Sequence, residues 1–196
     1  MGDTNVPRVV AIVPAAGRSA RMGAPKQLLP VQGRPMVIGV VDALRTGGAD
    51  AVVLVAHSQL RDSLGGLSPD VRVAINDDAT SEMIDSVRIG MNAAQDCDGY
   101  LVCPADAAGV TAADVRRCVN AFRETPERIV IASHNGRRGH PVIVPSSLAQ
   151  VVNSRECDAG LNRLARNRSE LIRIVECASP GTLTNVNTRD DYERLN

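Results

Sequence analysis

Apolar, β-branched runs bounded by turn residues recur along the chain at 8–14, 51–56, 71–75, 100–103, 129–132 and 171–175. Near-continuous apolar runs of this length predict strands buried on both faces. Between them the period changes. Ile84, Val87, Met91 and Ala94 share one face at helical spacing, as do Val115, Cys118, Val119 and Phe122. Thr111 followed by Asp114, and Thr188 followed by Asp191, are N-cap arrangements, while Gly47 and Gly48 predict the end of a helix that begins near Met36. Strands alternating with helices predict a mostly parallel sheet covered on both sides, a three-layer doubly wound α/β domain whose ligands sit at the carboxyl ends of the strands. The segment 137–144, RRGHPVIV, departs from the pattern. Its charged start and Pro141 predict a loop that enters an antiparallel element at the sheet edge. No repeat, low-complexity tract or linker divides residues 1–196, so one domain is expected.

Composition narrows what such a domain can do. The 22 acidic and 22 basic residues balance, which argues against a global field for nucleic acid or an anionic membrane. The apolar run near the N-terminus is too short to span a bilayer and follows no basic segment, so a cytoplasmic location is expected. Five cysteines form no CxxC pair, a pattern that favours free buried thiols over zinc or disulfides. The basic residues are arginines with a single exception, Lys26.

That lysine closes the most informative segment of the chain. Directly after the first predicted strand comes PAAGRSARMGAPK, residues 14–26, with Gly17 and Gly23, Ser19, Arg18 and Arg21. Small residues let backbone N–H groups approach an anion, and the arginines and Lys26 can neutralise a triphosphate. Five residues separate the two glycines and no Gly-Lys-Ser/Thr follows, so this is not a Walker loop, and it is not the GxGxxG dinucleotide fingerprint. A charged βα loop can also be merely solvated; its place after the first strand favours a phosphate site.

AIVPAAGRSARMGAPKQLLPVQGRPM resembles the N-terminal signature of the MobA-like NTP transferases from Ala15 to Pro35. The resemblance implies a Rossmann-like fold in which Ala15, Ala16, Gly17, Arg18, Ser19 and Gly23 wrap a nucleotide while Arg21 and Lys26 hold its triphosphate. Residues 76–90 are similar to a further family segment, with Asn76, Met83, Ser86 and Gly90 in place and Glu82 where glycine is usual. Asp106 matches the family's magnesium-binding aspartate at the end of the fourth predicted strand, with Ala105 and Ala108 replacing the usual glycine and proline. Near the C-terminus Asn187 stands where other members carry a second acidic metal ligand; an amide oxygen is the weaker donor, so Mg2+ would lean on Asp106 and the triphosphate. His140 of GHPV resembles a residue near the acceptor or base pocket, and Asp158 of RECDAGLN one that shapes the acceptor site, with Cys157 and Asn162 replacing glycine and arginine.

The resemblance implies attack by an acceptor phosphate on the α-phosphorus of an NTP with release of pyrophosphate. Ala16 and GHPV are similar to the cytidylyl branch, so CTP is favoured over GTP and a molybdopterin-type acceptor is expected. Relatives acting on sugar, lactyl or isoprenoid phosphates keep other acceptors open. A non-catalytic protein that delivers cofactor to a molybdenum hydroxylase is the alternative of a different class. A nicotinamide-dependent oxidoreductase would be expected to carry the missing GxGxxG.

Overall fold

The computed structural model describes residues 6–17, 25–94 and 96–194. Strand β1 (Val9–Pro14) leads, past the loop, to the short hairpin strands β2 (Pro30–Val31) and β3 (Arg34–Pro35). Then follow α1 (Met36–Thr46), β4 (Ala51–Ala56), α2 (Ser58–Ser63), β5 (Val71–Ile75), α3 (Met83–Ala93), β6 (Gly99–Val102) and α4 (Ala112–Glu124). The remaining elements are β7 (Ile129–His134), β8 (Arg137–Pro145), α5 (Ala149–Val152), α6 (Leu161–Asn167), β9 (Ile172–Glu176) and α7 (Arg189–Glu193).

Among the described residues seven strands form one sheet in the order β5-β4-β1-β6-β8-β7-β9, and every pairing in it is parallel except those made by β8. Alternation along the strands divides the core into two layers. Val9, Ala11 and Val13 of β1 pack with α1 and α4 through Val37, Val41, Val115 and Phe122. Val10 and Ile12 face the opposite layer with Ile84, Val87 and Met91 of α3, Val152 of α5 and Leu164 of α6. The three-layer α/β expectation holds.

The helix boundaries follow from the predicted caps. Thr111 Oγ1 accepts from the Asp114 N–H at 3.2 Å, and the α7 cap repeats this between Thr188 and Asp191 at 3.1 Å. At the end of α1, Gly48 adopts φ +101°, and Ala49 N donates to Leu44 O while Gly48 N donates to Arg45 O. This is a Schellman closure, and it is what a glycine past the C-cap supplies.

The antiparallel element exists, but its expected place at the sheet edge is corrected: β8 lies inside the sheet, bonded to β6 on one side and β7 on the other. Pro141 is accommodated because the β7 ladder jumps from Ile131↔Val142 to Ser133↔Arg138, a bulge that requires no N–H from the proline. The insertion has a consequence for the site. Because β8 runs against the other strands, its beginning, not its end, reaches their carboxyl edge. With Val102 paired to Val142, His140 projects past the end of β6 toward the segment that carries Asp106.

Candidate functional site

The carboxyl edge gathers three chain segments. The first leaves β1, where Ala15 N donates to Val55 O at 2.8 Å, and runs through Ala16 and Gly17. Buried Gln27 organises it: its Nε2 donates to Ala15 O at 2.9 Å and Gly17 O at 2.7 Å, so the loop is tied to the turn that carries Lys26. The second leaves β6 and reaches Asp106. The third precedes α7, and Val186 N donates to Asp106 O at 2.9 Å.

Lys26 joins all three. Its Nζ lies 2.6 Å from Asp106 Oδ2, 2.9 Å from Val186 O and 3.5 Å from Asn187 Oδ1. Both side chains of the ion pair are 18% exposed. Asp106 Oδ1 is buried with no hydrogen-bond partner. The oxygens of Asp106, Val186 and Asn187 thus converge on one positive charge, a donor set that suits a divalent cation as well as an ammonium group. One carboxylate is few for an all-protein metal cage; it suits an ion that takes its other ligands from phosphates and water. The α7 cap holds this corner, since Asp191 Oδ2 accepts from the N–H groups of both Asn187 at 3.1 Å and Thr188 at 2.9 Å.

Around the ion pair lies a cavity of about 230 Å³ lined by Ala15, Ala16, Gly17, Lys26, Ser86 and Asp106, with Glu82 and Met83 at the start of α3. Glu82, in the place where glycine is usual, has φ −94° and ψ 174°, an extended conformation open to any residue. Asp85 accepts from its N–H at 2.9 Å, so the substitution leaves the helix start intact. Asn76 does not line this cavity. It is buried behind the wall, donating to Ser81 Oγ and Ser86 Oγ at 3.0 Å each, where it fixes two serines that do.

A second cavity, of about 420 Å³, opens between β7, β8, α6 and the segment before α7. His140, Asn185, Arg138, Asn162 and Arg166 supply its polar lining, and Ile131, Val142, Leu161 and Ala165 its apolar walls. Burial holds the His140 imidazole below its ordinary pKa, with the negative charge of Asp106 working against that shift, so the ring is neutral at pH 7. His140 Nδ1 and Asn185 Oδ1 are buried without partners, as is Asp106 Oδ1. Leaving such a group unsatisfied costs about 1–3 kcal/mol, so three of them around one edge of the sheet is a marked departure from the rest of the described residues.

Glycines let the segments meet. A Cβ on Gly181 would run into the carbonyl oxygen of Gly109, in the Asp106 loop, and one on Gly139 into the carbonyl oxygen of Thr182. These close backbone approaches hold the Asp106 loop, the start of β8 and the C-terminal segment together.

Arg18, Ser19, Arg21 and Gly23 lie outside the described residues. Asp158 lines neither cavity; its carboxylate is 2.8 Å from Arg88 on α3, an ion pair between elements of one layer. Sequence reasoning passed over Gln27, Asn185, Arg138, Arg166 and Gly181. Two had a local signal: Gln27 adjoins the lone lysine, and Asn185 stands two residues before Asn187. Cys103 is fully buried, and burial, then the charge of Asp106, raises its thiol pKa well above the ordinary value, which leaves it unreactive.

The sequence profile of the MobA-like NTP transferase domain matches residues 11–172. The chain belongs to that family. This MobA-like protein is 32% identical to the nicotine blue oxidoreductase of Paenarthrobacter nicotinovorans over the whole of both chains. It is 38% identical to the 2-C-methyl-D-erythritol 4-phosphate cytidylyltransferase of Nocardia farcinica across 63% of this chain and 55% of that one. It is 28% identical to a probable molybdenum cofactor guanylyltransferase of Rhodopirellula baltica across 94% and 90% of the two chains. A solved Mycobacterium tuberculosis structure superposes with a TM-score of 0.83 at 23% identity, covering 97% of each chain, and shows the same fold. Among the described residues no helix is long and apolar enough to cross a membrane.

Proposed function

We propose that this MobA-like protein transfers a nucleoside monophosphate, CMP before GMP, from an NTP to a phosphorylated acceptor of molybdopterin type. The observation that carries the reading is the cation cradle at the sheet's carboxyl edge, where Lys26 Nζ sits 2.6 Å from Asp106 Oδ2 beside a cavity bordered by the Ala15–Gly17 backbone. Ala15, Ala16 and Gly17 admit a phosphate or base close to the main chain, and Ser86 adds a hydroxyl fixed by Asn76. Asp106 and Asn187 would hold a magnesium ion, which when bound offsets charge on the phosphates.

In the reaction an acceptor phosphate oxygen bonds to the α-phosphorus while the bond to the bridging oxygen breaks, and pyrophosphate leaves with the electron pair. No side chain needs to act as nucleophile. Lys26 neutralises phosphate charge as it redistributes, and the arrangement contributes by position and preorganised charge. Arg18, Ser19, Arg21 and Gly23 complete this proposal from the sequence, and a cytoplasmic location goes with it.

Calorimetric titration with CTP, GTP and ATP, each with and without Mg2+, tests the reading. Metal-dependent preference for CTP is expected, with pyrophosphate release once acceptor is added. Absence of binding to all three nucleotides overturns it.

A second reading has its own support. A relative matched end to end is a nicotine blue oxidoreductase. On that reading the first cavity takes a reduced nicotinamide dinucleotide, and NADH or NADPH binds in place of CTP without a need for metal. A cofactor carrier serving a molybdenum hydroxylase would instead bind its cargo without turnover.

A further inference from the structure

Two of the five cysteines meet in the core. Cys118 belongs to the sheet-facing stripe of α4, with Val115, Val119 and Phe122, and Cys177 directly follows β9. Both are buried, and both are free thiols. Cys118 Sγ–H donates to Cys177 Sγ, and Cys177 Sγ–H donates in turn to Val175 O at 3.6 Å.

The backbone holds the pair from both sides. Cys177 N donates to Ser133 O at 2.7 Å, which carries the bonding of β9 to β7 one residue past the strand. From β9, the Arg173 guanidinium crosses to the end of α4, donating to Ala121 O at 2.8 Å and Thr125 Oγ1 at 2.9 Å and pairing with Glu124 at 2.6 Å. Helix and strand therefore keep one relation, and the sulfurs need only a short approach to bond. The hydrogen bond from Cys118 also holds the Cys177 thiol below its ordinary pKa, although burial and the charge of Asp114 oppose it, which favours the thiolate at Cys177. Neither sulfur lines the two cavities, and the proposed transfer uses neither.

We propose that Cys118 and Cys177 form a peroxide-responsive thiol pair, which closes to a disulfide joining α4 to the segment after β9. The Cys177 thiolate attacks one oxygen of hydrogen peroxide, the O–O bond breaks, and the leaving hydroxide takes a proton and departs as water. Cys177 is then a sulfenic acid. The Cys118 sulfur attacks the Cys177 sulfur, the S–O bond breaks, and the second hydroxide leaves as water with the Cys118 proton. Two thiols lose two electrons and one peroxide becomes two waters; a dithiol reductant reverses the step by exchange. The bond ties together two segments that lead to the Lys26 cradle, because α4 follows the Asp106 loop and Cys177 precedes the stretch that ends in Val186 and Asn187. It closes a loop of about 60 residues, a constraint on the unfolded chain that stabilises the folded one.

The reduced full chain is treated with excess hydrogen peroxide, quenched with catalase, alkylated and digested with trypsin. Arg116 and Arg117 separate Cys103 from Cys118, and Arg173 separates Cys157 from Cys177, so mass spectrometry identifies each pairing. A Cys118–Cys177 link within one chain is expected as the dominant disulfide, with a melting temperature raised by about 5–10 °C and restored by dithiothreitol. Cys118→Ala and Cys177→Ala should each abolish the link and the rise, while Cys97→Ala should retain both. The pairing in the wild-type chain needs no variant, so it remains decisive where an alanine in the core weakens folding. Persistence of both thiols, conversion of Cys177 to sulfinic acid without a link, or a dominant link to Cys103 overturns the inference, as does a link that lowers the melting temperature. These readouts contain no nucleotide, so their failure leaves the transferase reading untouched and its failure leaves them.

Discussion

Replacing Lys26 by methionine separates what the lysine does for the fold from what it does for phosphates. At 2.6 Å the pair with Asp106 has a gross Coulomb attraction of about 6 kcal/mol at an effective dielectric near 20. Most of this is offset by desolvating two charges that retain only 18% exposure each. Exposed pairs contribute about 0–1 kcal/mol and breaking a fully buried pair costs about 3–5 kcal/mol, so an intermediate loss of about 2 kcal/mol is expected for Lys26→Met. The mutant leaves Asp106 with neither oxygen partnered by Lys26, and Oδ1 has no partner to begin with. Asp106→Asn should cost less, about 1 kcal/mol, because Lys26 keeps Val186 O and Asn187 Oδ1 on a flexible stem. The double variant should then be more stable than the sum of the single losses predicts, with a coupling of about 1 kcal/mol. Urea unfolding of the four proteins at constant slope gives these values, and Lys26→Met should melt about 4–8 °C lower. Nucleotide-dependent turnover should fall by more than ~10-fold in both single variants. A Lys26→Met protein as stable as the wild type would show that the carboxylate does not depend on the lysine, and the cradle argument would fail with it.

Gly181→Val, which places a side chain against the Gly109 carbonyl, should destabilise by about 2 kcal/mol or more and weaken ligand binding at both cavities, as unfolding and titration would show. The depressed His140 pKa means that the unfolded chain binds a proton more readily below about pH 6.5, so this contribution to stability is whole above that value and is lost as pH falls toward the folded pKa. His140→Gln should therefore lose less stability between about pH 7.5 and pH 5 than the wild type does; an equal loss in urea midpoints would contradict the assignment. Asn187→Asp adds a carboxylate 3.5 Å from Lys26 and should tighten Mn2+ binding by about 3- to 10-fold, read by electron paramagnetic resonance in the presence of CTP. No gain would mean that Asn187 does not face the ion.

The inner strands were legible because a doubly wound sheet buries both their faces and fills them with β-branched runs such as VVAIVP, whereas β5 and β9, also expected to be buried on both faces, are the sheet's edges and leave Ile75 and Ile174 exposed. Caps were legible because a threonine and an aspartate three apart satisfy helix N–H groups locally. The position of β8 was not. RRGHPVIV has the charge and the proline of an edge strand, and only its long-range pairing with β6 and β7, with the bulge opposite Pro141, explains how it occupies the middle of the sheet.

The same distinction runs through the site. Lys26 and Asp106 belong to segments whose chemistry is concentrated in a few neighbouring residues, and they meet across 80 positions because parallel strands deliver both to one edge. The second cavity has no compact sequence signature: Arg138 and His140 come from β8, Asn162 and Arg166 from α6, and Asn185 from the segment before α7. What assembles them is the reversal of β8, which turns the beginning of a strand toward the edge where its neighbours end. Had β8 been a parallel strand, His140 would lie at the opposite edge of the sheet from Asp106. The antiparallel insertion is therefore the topological feature that brings His140 and the second cavity to the sheet edge where Asp106 lines the first.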